Sequence, residues 1–359
     1  MSPRVKTGSA AIDRQIEALL DECGATEDRD LLFDIIASGV LLAGDDSDRL
    51  DLKITAATLA EMRVAFNAFA PYRDQPKVTI FGSARILADD PLYLSARDAA
   101  ALLAAEGWMV VTGAGPGIMA AGLEGAGREK SFGVNIRLPF EQEANEFIRG
   151  DHKLVSMKYF FTRKLELVKE SQGFLCLPGG FGTLDETFEL LTLQQTGKSV
   201  PTPIVFLDEP GGTYWEGWRR FTLDHVAAGG YISAEDLGIV TITDDVEVAV
   251  EAVLGFYRNY RSIRWVGKTL VVRLVAEPTD AEVAMLNEEF GAMLAATGQI
   301  ERSGPLPPEV KDGEHLDQQR LVMDFDIRHF GQLHAFIHRL NELGSAPATT
   351  LALSDPPRG

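Results

Sequence analysis

From Lys77 onward, short apolar runs alternate with segments of helical length. KVTIFG (77–82), WMVVT (108–112), FGVNI (132–136), GFLCL (173–177), PIVFL (203–207) and IVTI (239–242) are nearly continuous apolar runs. That is the form taken by strands buried on both faces. Between them, Tyr93–Glu106, Gly117–Arg128, Ser156–Ser171 and Thr183–Thr196 have the length and spacing of helices. Strand, helix, strand repeated in this order predicts an α/β fold, a doubly wound parallel sheet with helices on both faces. Ligands in such sheets bind outside the carboxyl ends of the strands.

The flanks carry different patterns. In residues 1–75, Leu19–Leu20, Leu31–Phe33, Ile35–Ile36 and Val40–Leu42 recur at roughly helical spacing. The segment ends near Pro71 and Pro76 and predicts an N-terminal helical layer or an oligomer contact. Beyond Phe256, TLVVRLVA (269–276) predicts a strand, Asp280–Ala296 an amphipathic helix, SGPLPPEVKDGE (303–314) a Pro-rich polar loop, RLVMDFDI (320–327) a second strand and Phe330–Leu343 a helix. This is a small C-terminal β-α-β-α unit, and the tail SDPPRG reads as frayed. The expected domains are therefore 1–75, 76–256 and 257–359.

Composition narrows the partners. The 359 residues hold 34 Lys plus Arg against 53 Asp plus Glu, a formal charge of −19. The N-terminal 75 residues are themselves acidic, with 8 Lys/Arg and 14 Asp/Glu. A phosphate backbone or an anionic membrane attracts Lys and Arg, so neither nucleic acid nor membrane is an expected partner. A small phosphorylated ligand remains compatible, since a few Arg and backbone N–H groups can hold one phosphate inside a negative field. Cys23 and Cys176 are the only cysteines, which fits a reducing compartment. MSPRVKTGSA lacks the apolar core of a signal peptide, and Phe33–Gly44 is too short to span a bilayer. A cytoplasmic protein is expected.

Three predicted strand ends carry Gly-rich turns: Phe81-Gly82-Ser83-Ala84-Arg85, then Thr112-Gly113-Ala114-Gly115-Pro116-Gly117-Ile118-Met119, then Pro178-Gly179-Gly180-Phe181-Gly182-Thr183-Leu184-Asp185-Glu186. Gly lets a ligand approach without a Cβ in the way. A helix N-terminus adds free N–H donors and a partial positive charge that suit a phosphate. One such loop can be merely a tight turn, but three at successive strand ends read as a nucleotide or sugar-phosphate pocket. No Gly-Lys-Ser/Thr follows the glycines, and the second loop lacks G-x-G-x-x-G spacing, so neither a Walker loop nor a dinucleotide fingerprint is present.

Charged groups stand near this pocket. Glu186 follows the third loop, and Arg163 and Lys164 lie on the preceding helix. A carboxylate and an arginine beside a phosphate cradle suggest cleavage at a ribose phosphate. The base would leave C1 through an oxocarbenium-like state that a carboxylate stabilises, or attacks through an activated water. Plainer readings fit the same spacing. Thr183-Leu184-Asp185-Glu186 matches the S/T-x-x-E capping box, and Arg163 can pair with Glu166 or Glu170 on a wet helix face. Cys176 sits in an apolar strand. His334 and His338 are i, i+4, but no nearby Cys or carboxylate completes a metal set.

Together these motifs resemble the Lonely Guy (LOG) family, whose members are cytokinin riboside 5′-monophosphate phosphoribohydrolases and related nucleotide nucleosidases, sometimes labelled lysine decarboxylases. The third loop resembles its PGGxGTxxE signature. The second resembles its GGGxxGxM turn, with Ala114 in place of a Gly. Arg163-Lys164 matches its Arg-Lys pair, 23 residues before Glu186. The resemblance spans about Lys77 to Phe256. It implies a Rossmann-like fold that hydrolyses a purine nucleoside 5′-monophosphate, AMP or an N6-modified cytokinin-type AMP, to free base and ribose 5-phosphate without a cofactor. Arg163 and Glu186 would be the catalytic pair. Gly179, Gly180, Gly182 and Thr183 would cradle the phosphate, with Lys164 assisting. Gly82 and Ser83 would line the opposite wall, and Gly113, Gly115, Gly117 and Met119 the second loop. Asn145, in the stretch 141–145, would face the same site. Family sites usually form at a dimer interface, which implies a homodimer or larger homo-oligomer. Both flanking segments occur in the long bacterial forms.

Two other functions compete with this expectation. The same cradle can bind a nucleotide or cofactor without turnover, as a carrier. The old family label points instead to decarboxylation on pyridoxal phosphate, which needs a Schiff-base lysine, with Lys164 and Lys198 as candidates by position.

Overall fold

The computed structural model describes residues 5–137, 143–295, 298–350, 353 and 356–357. The chain divides into two compact units, residues 1–63 and 64–359. In the first, α1 (Ala10–Glu22) and α2 (Arg29–Leu41) form a hairpin. Ile16 and Leu20 of α1 pack on Phe33 and Ala37 of α2; of the apolar runs read from the sequence only Leu20 and Phe33 are buried there, while Leu19, Leu31, Leu32, Ile35 and Val40 are exposed. A third helix, α3 (Arg49–Phe69), begins in this unit, and its last residues belong to the second.

The second unit is built on a seven-stranded parallel sheet. Its elements are β1 (Lys77–Phe81), α4 (Pro91–Ala105), β2 (Met109–Thr112), α5 (Ile118–Ala126), β3 (Ser131–Ile136), β4 (Leu154–Met157), α6 (Phe160–Lys169), β5 (Gly173–Cys176), α7 (Phe181–Gln195), β6 (Ile204–Leu207), α8 (Tyr214–Phe221), β7 (Val240–Thr243) and α9 (Val246–Gly255). The strand order is β4-β3-β2-β1-β5-β6-β7, so the fold is the doubly wound α/β architecture expected. All six strands read from the sequence are present. The seventh, β4, overlaps the first two residues of the segment read as a helix from Ser156; α6 begins only at Phe160.

Both faces of the sheet are covered, which is why its strands are apolar at almost every position. Val78 and Ile80 of β1 join one core with residues of α4, α5 and α9, whereas Phe81 joins the other with Phe132, Phe174, Trp215 and Phe69. The first core continues into the C-terminal part of the same unit. There β8 (Tyr260–Val266), β9 (Thr269–Leu274), α10 (Asp280–Phe290), β10 (Glu301–Arg302), α11 (Pro307–Asp312), β11 (Gln319–Asp324) and α12 (Phe330–Asn341) form an antiparallel sheet of order β10-β11-β9-β8 with helices. The β-α-β-α pattern is thus extended by two strands, β8 and β10, and by α11, which folds within the segment read as a loop. Leu286, Phe290, Leu333 and Phe336 of α10 and α12 cover Leu270, Val272 and Leu321 of the sheet. The chain end is not loose at Pro356–Pro357: both residues are buried, and Gln172 Nε2 donates to the Pro357 carbonyl at 3.1 Å.

Candidate active site

The strand order fixes where a ligand goes. The chain runs from β1 outward to β2, β3 and β4 on one side, while β5, which pairs directly with β1, leads to β6 and β7 on the other. A crevice opens at such a reversal, outside the carboxyl ends of the two strands. The loops leaving β1 and β5 are the first and third Gly-rich turns, and the loop leaving β2 is the second. Ser83 N–H donates to Pro178 O at 3.2 Å, and Ile118 N–H donates to Ser83 O at 3.0 Å, so the three turns are stitched together. They surround a cavity of about 800 Å³, within the range of small-molecule sites.

One wall is the start of α7. Gly180 is its N-cap, and no side chain caps the helix. The first N–H groups of the helix are therefore orphan donors at the cavity, with the positive end of the helix dipole behind them. This removes the capping-box reading of Glu186. Thr183 already lies inside the helix, and its backbone carbonyl accepts from Thr187 Oγ1 at 2.7 Å.

Glu186 lines the cavity with only 6% of its surface exposed. Its Oε1 lies 3.7 Å from Arg163 Nη1, and its buried Oε2 has no hydrogen-bond partner. Burial pushes the carboxyl up to about 7, with Arg163 and then Lys164 pulling the other way. Arg163 comes from α6, and its Nε donates to the Val134 carbonyl on β3 at 2.9 Å. It therefore turns toward the sheet instead of pairing with Glu166 or Glu170. Gly113 makes this approach possible, because a Cβ there would lie 2.0 Å from Arg163 Nη2. Gly117 has φ +67°, and a Cβ there would lie 2.3 Å from Ser83 O, so it lets the first two turns meet.

Gly82, Ser83, Gly113, Met119, Arg163, Gly179, Gly180, Gly182, Thr183 and Glu186 all line the cavity. Four other residues singled out in the sequence do not. Asn145 sits behind the second turn: its N–H donates to Ala114 O and its Nδ2 to Gly115 O, both at 2.9 Å. Gly115 and Gly117 shape that turn without facing the cavity. Residues 141–142 of the neighbouring stretch lie outside the described residues. Lys164 binds Asp185 at 2.8 Å and Glu189 at 2.7 Å. Burial lowers its ammonium, but these hydrogen bonds hold it above its ordinary value. It pins α6 to α7. Ala114 keeps the left-handed conformation that its Gly counterpart would favour, at φ +58°.

The sequence reading left out Arg85, Ile136, Phe160, Phe181, Leu184 and Asp185, all of which line the cavity, and Tyr214, whose hydroxyl donates to Gly179 O at 2.8 Å. Arg85, Phe181, Leu184 and Asp185 lay within the quoted turns; Phe160 and Tyr214 had no local signal. Neither Lys164 nor Lys198 lines the cavity, so neither stands where a Schiff base would meet a cradled phosphate. His334 is buried in the first half of α12, and its Nε2 bonds Gln194 Oε1 at 2.9 Å. Burial depresses it to about 3. No group of three or more His, Cys, Asp or Glu able to hold a metal occurs among the described residues. Cys176 is buried in β5.

Fold and cavity together define a Rossmann-like α/β protein with a Gly-lined cavity at its switch point. Residues 114–253 match the family model described as possible lysine decarboxylase. This match and the relatives below support the resemblance to the Lonely Guy family. The chain is 29% identical over 158 residues to the cytokinin riboside 5′-monophosphate phosphoribohydrolase of Mycobacterium marinum (strain ATCC BAA-535 / M), covering 42% of this chain and 80% of that protein. The protein of the same name from Mycobacterium tuberculosis (strain ATCC 25618 / H37Rv) is 29% identical over 164 residues, covering 44% of this chain and 82% of that one. Among solved structures, a molybdenum cofactor carrier protein from Chlamydomonas reinhardtii is 21% identical, covers 50% of this chain and 96% of its own, and has a TM-score of 0.35. Among the described residues, no helix is long and apolar enough to cross a membrane.

Proposed function

We propose that this cavity hydrolyses the N-glycosidic bond of a purine nucleoside 5′-monophosphate, AMP or an N6-modified cytokinin-type AMP, to free base and ribose 5-phosphate. The observation that carries the reading is Glu186, buried at the cavity wall with one oxygen unpartnered, beside Arg163 and one helical turn from the orphan N–H groups of α7. In the reaction the C1′–N bond breaks and its electrons leave with the base. Water supplies the hydroxyl that forms the new C1′–O bond, and its remaining proton ends on the base. The Glu186 carboxylate takes that proton from the attacking water and faces the positive charge growing at C1′. Arg163 neutralises and orients Glu186, and the start of α7 receives the 5′-phosphate. Phosphoribohydrolase is also the activity named in the two mycobacterial relatives.

We also propose a homodimer or larger homo-oligomer. Phe160 and Phe181 line the cavity yet are 52% and 93% exposed, an apolar rim that a second copy would cover.

The test is incubation with a panel of nucleoside 5′-monophosphates, an N6-isopentenyl form included, followed by chromatography for free base. Release from one or two of them is the expected result and names the base preference. Binding without release from any member overturns the hydrolase in favour of a carrier.

A further inference from the structure

Among the described residues, two cationic side chains line the cavity, Arg163 and Arg85. The cavity also presents Asp185 and Glu186, in a protein whose formal charge is −19. Any phosphorylated ligand entering here needs local positive charge to offset that field. Arg163 is already engaged, with Nε on the Val134 carbonyl and Nη1 beside Glu186. Lys164 is held off the wall by Asp185 and Glu189. Arg85 differs from both: its guanidinium makes no hydrogen bond or ion pair with any described residue, and it is exposed.

The backbone beneath Arg85 is fixed. Its N–H donates to Ser83 Oγ at 3.1 Å. Ser83 is in turn anchored to the third turn through Pro178 O and to the second through Ile118 N–H. Leu177 N–H closes the same seam by donating to Phe81 O at 2.8 Å. Since Ser83 Oγ accepts from Arg85, its own hydroxyl proton is available to a ligand. The first turn therefore offers an unpaired planar fork of donors and one hydroxyl, on a platform tied to the turn that opens α7.

Resting on the nucleotide reading above, we propose that Arg85 is the phosphate-reading residue of this cavity. It clamps the 5′-phosphate against the uncapped start of α7 and makes the site select nucleotides over nucleosides. A guanidinium suits the task, because its fork meets two phosphate oxygens at once and never loses its charge. The helix start alone supplies only partial charge.

The experiment is titration calorimetry of the full chain with ribose 5-phosphate and with ribose, for wild type, Arg85→Ala and Arg85→Lys, alongside turnover of AMP and adenosine. Wild type should bind ribose 5-phosphate. Arg85→Ala should weaken that binding at least about tenfold with an unchanged melting temperature, as expected for loss of a charged hydrogen bond. Arg85→Lys should recover part of it. The ratio of kcat/KM for AMP to that for adenosine should fall by a similar factor in Arg85→Ala, with adenosine turnover unaltered. Affinity within twofold of wild type in Arg85→Ala, or no ribose 5-phosphate binding by wild type, overturns the assignment. If wild type binds ribose 5-phosphate but releases base from no monophosphate, the nucleosidase reading fails alone. The binding comparison still decides the role of Arg85.

Discussion

The Arg163 guanidinium stands 3.7 Å from the Glu186 carboxylate, within Coulombic reach but beyond a hydrogen bond. The arginine therefore offsets charge without occupying the carboxylate, and Glu186 Oε2 stays unpartnered. If Glu186 works as a carboxylate, Glu186→Gln should lower kcat by about 10²–10⁴-fold while leaving nucleotide affinity within a few-fold. The melting temperature should hold, because Gly180 and not Thr183 starts the helix and Glu186 caps nothing. The same reading fixes a pH profile. Since burial holds Glu186 at about 7, kcat/KM should rise as pH climbs through that value. Arg163 lowers this carboxyl, so Arg163→Gln should move the rising limb to higher pH. Full turnover by Glu186→Gln, or a flat profile from pH 5.5 to 8.5, would sink the assignment.

Phe181 is the first residue of α7 and is almost wholly exposed. With no packing to lose, Phe181→Ser should fold as wild type does. If the apolar rim meets a second copy, sedimentation should show wild type as a dimer or larger and Phe181→Ser shifted toward monomer. A monomeric wild type at high micromolar concentration would refute the oligomer.

The strands and turns were legible in the sequence for one physical reason: strands buried on both faces must be apolar throughout, and turns that crowd one another need Gly. What stayed hidden depended on tertiary partners. The edge strand β4 is partly exposed at Ser156 and merged with the helix pattern that follows. In β8, Arg261 and Arg264 interrupt the apolar run on a half-buried strand. The start of α7 lies two residues before the Thr183 expected, since Gly180-Phe181-Gly182 is a poor helix opening on local propensity while Thr183 and Glu186 imitate a good one. Arg85 was visible as a letter in the first turn. Only the geometry, which occupies Arg163 and Lys164 elsewhere, distinguishes it.

Glu166, one turn beyond Arg163 on α6, is fully buried, and neither carboxylate oxygen has a hydrogen-bond partner. Burial pushes it up to about 7, with Lys169 opposing. A carboxyl raised in the folded state binds a proton that the unfolded chain has already released, so stability falls as pH rises from the ordinary carboxyl value of 4.5 toward 7. Glu186 has the same sign. Glu166→Met keeps the length of the side chain and removes the unsatisfied group, and should stabilise the protein by about 1–3 kcal/mol at pH 8. The gain should shrink at pH 5, where the carboxyl is protonated. Urea denaturation at the two pH values reads this directly. A loss of stability at pH 8, or an equal gain at both, would contradict it.

Glu309 carries the opposite sign. Arg273 of β9 and Arg320 of β11 sit directly opposite each other in the strand register, a pairing of like charges that would be unfavourable alone. Glu309 on α11 lies between them, fully buried. Its Oε1 accepts from Arg273 Nη2 at 2.8 Å, and its Oε2 from Arg320 Nε at 3.1 Å and Leu306 N–H at 3.0 Å. Burial opposes ionisation, but the Leu306 N–H and the two guanidinium groups prevail and hold the carboxyl below its ordinary value. A depressed folded value means stability that is present above the unfolded carboxyl range and is lost as pH falls. This explains how a six-residue helix that opens on two prolines persists: its buried carboxylate is the counter-ion of the sheet. Glu309→Gln leaves the buried Arg320 guanidinium without a carboxylate and Arg273 with only Glu314, at 2.9 Å, and should cost about 3–5 kcal/mol. Replacing Arg273 and Glu309 together with Met should cost less than Glu309→Gln alone, because the buried Arg273 charge, which keeps only Glu314, is removed along with Glu309 and no longer faces Arg320. Urea denaturation of the three proteins at pH 7 tests the order, and a double variant less stable than the single one would show that the pair contributes beyond neutralising charge.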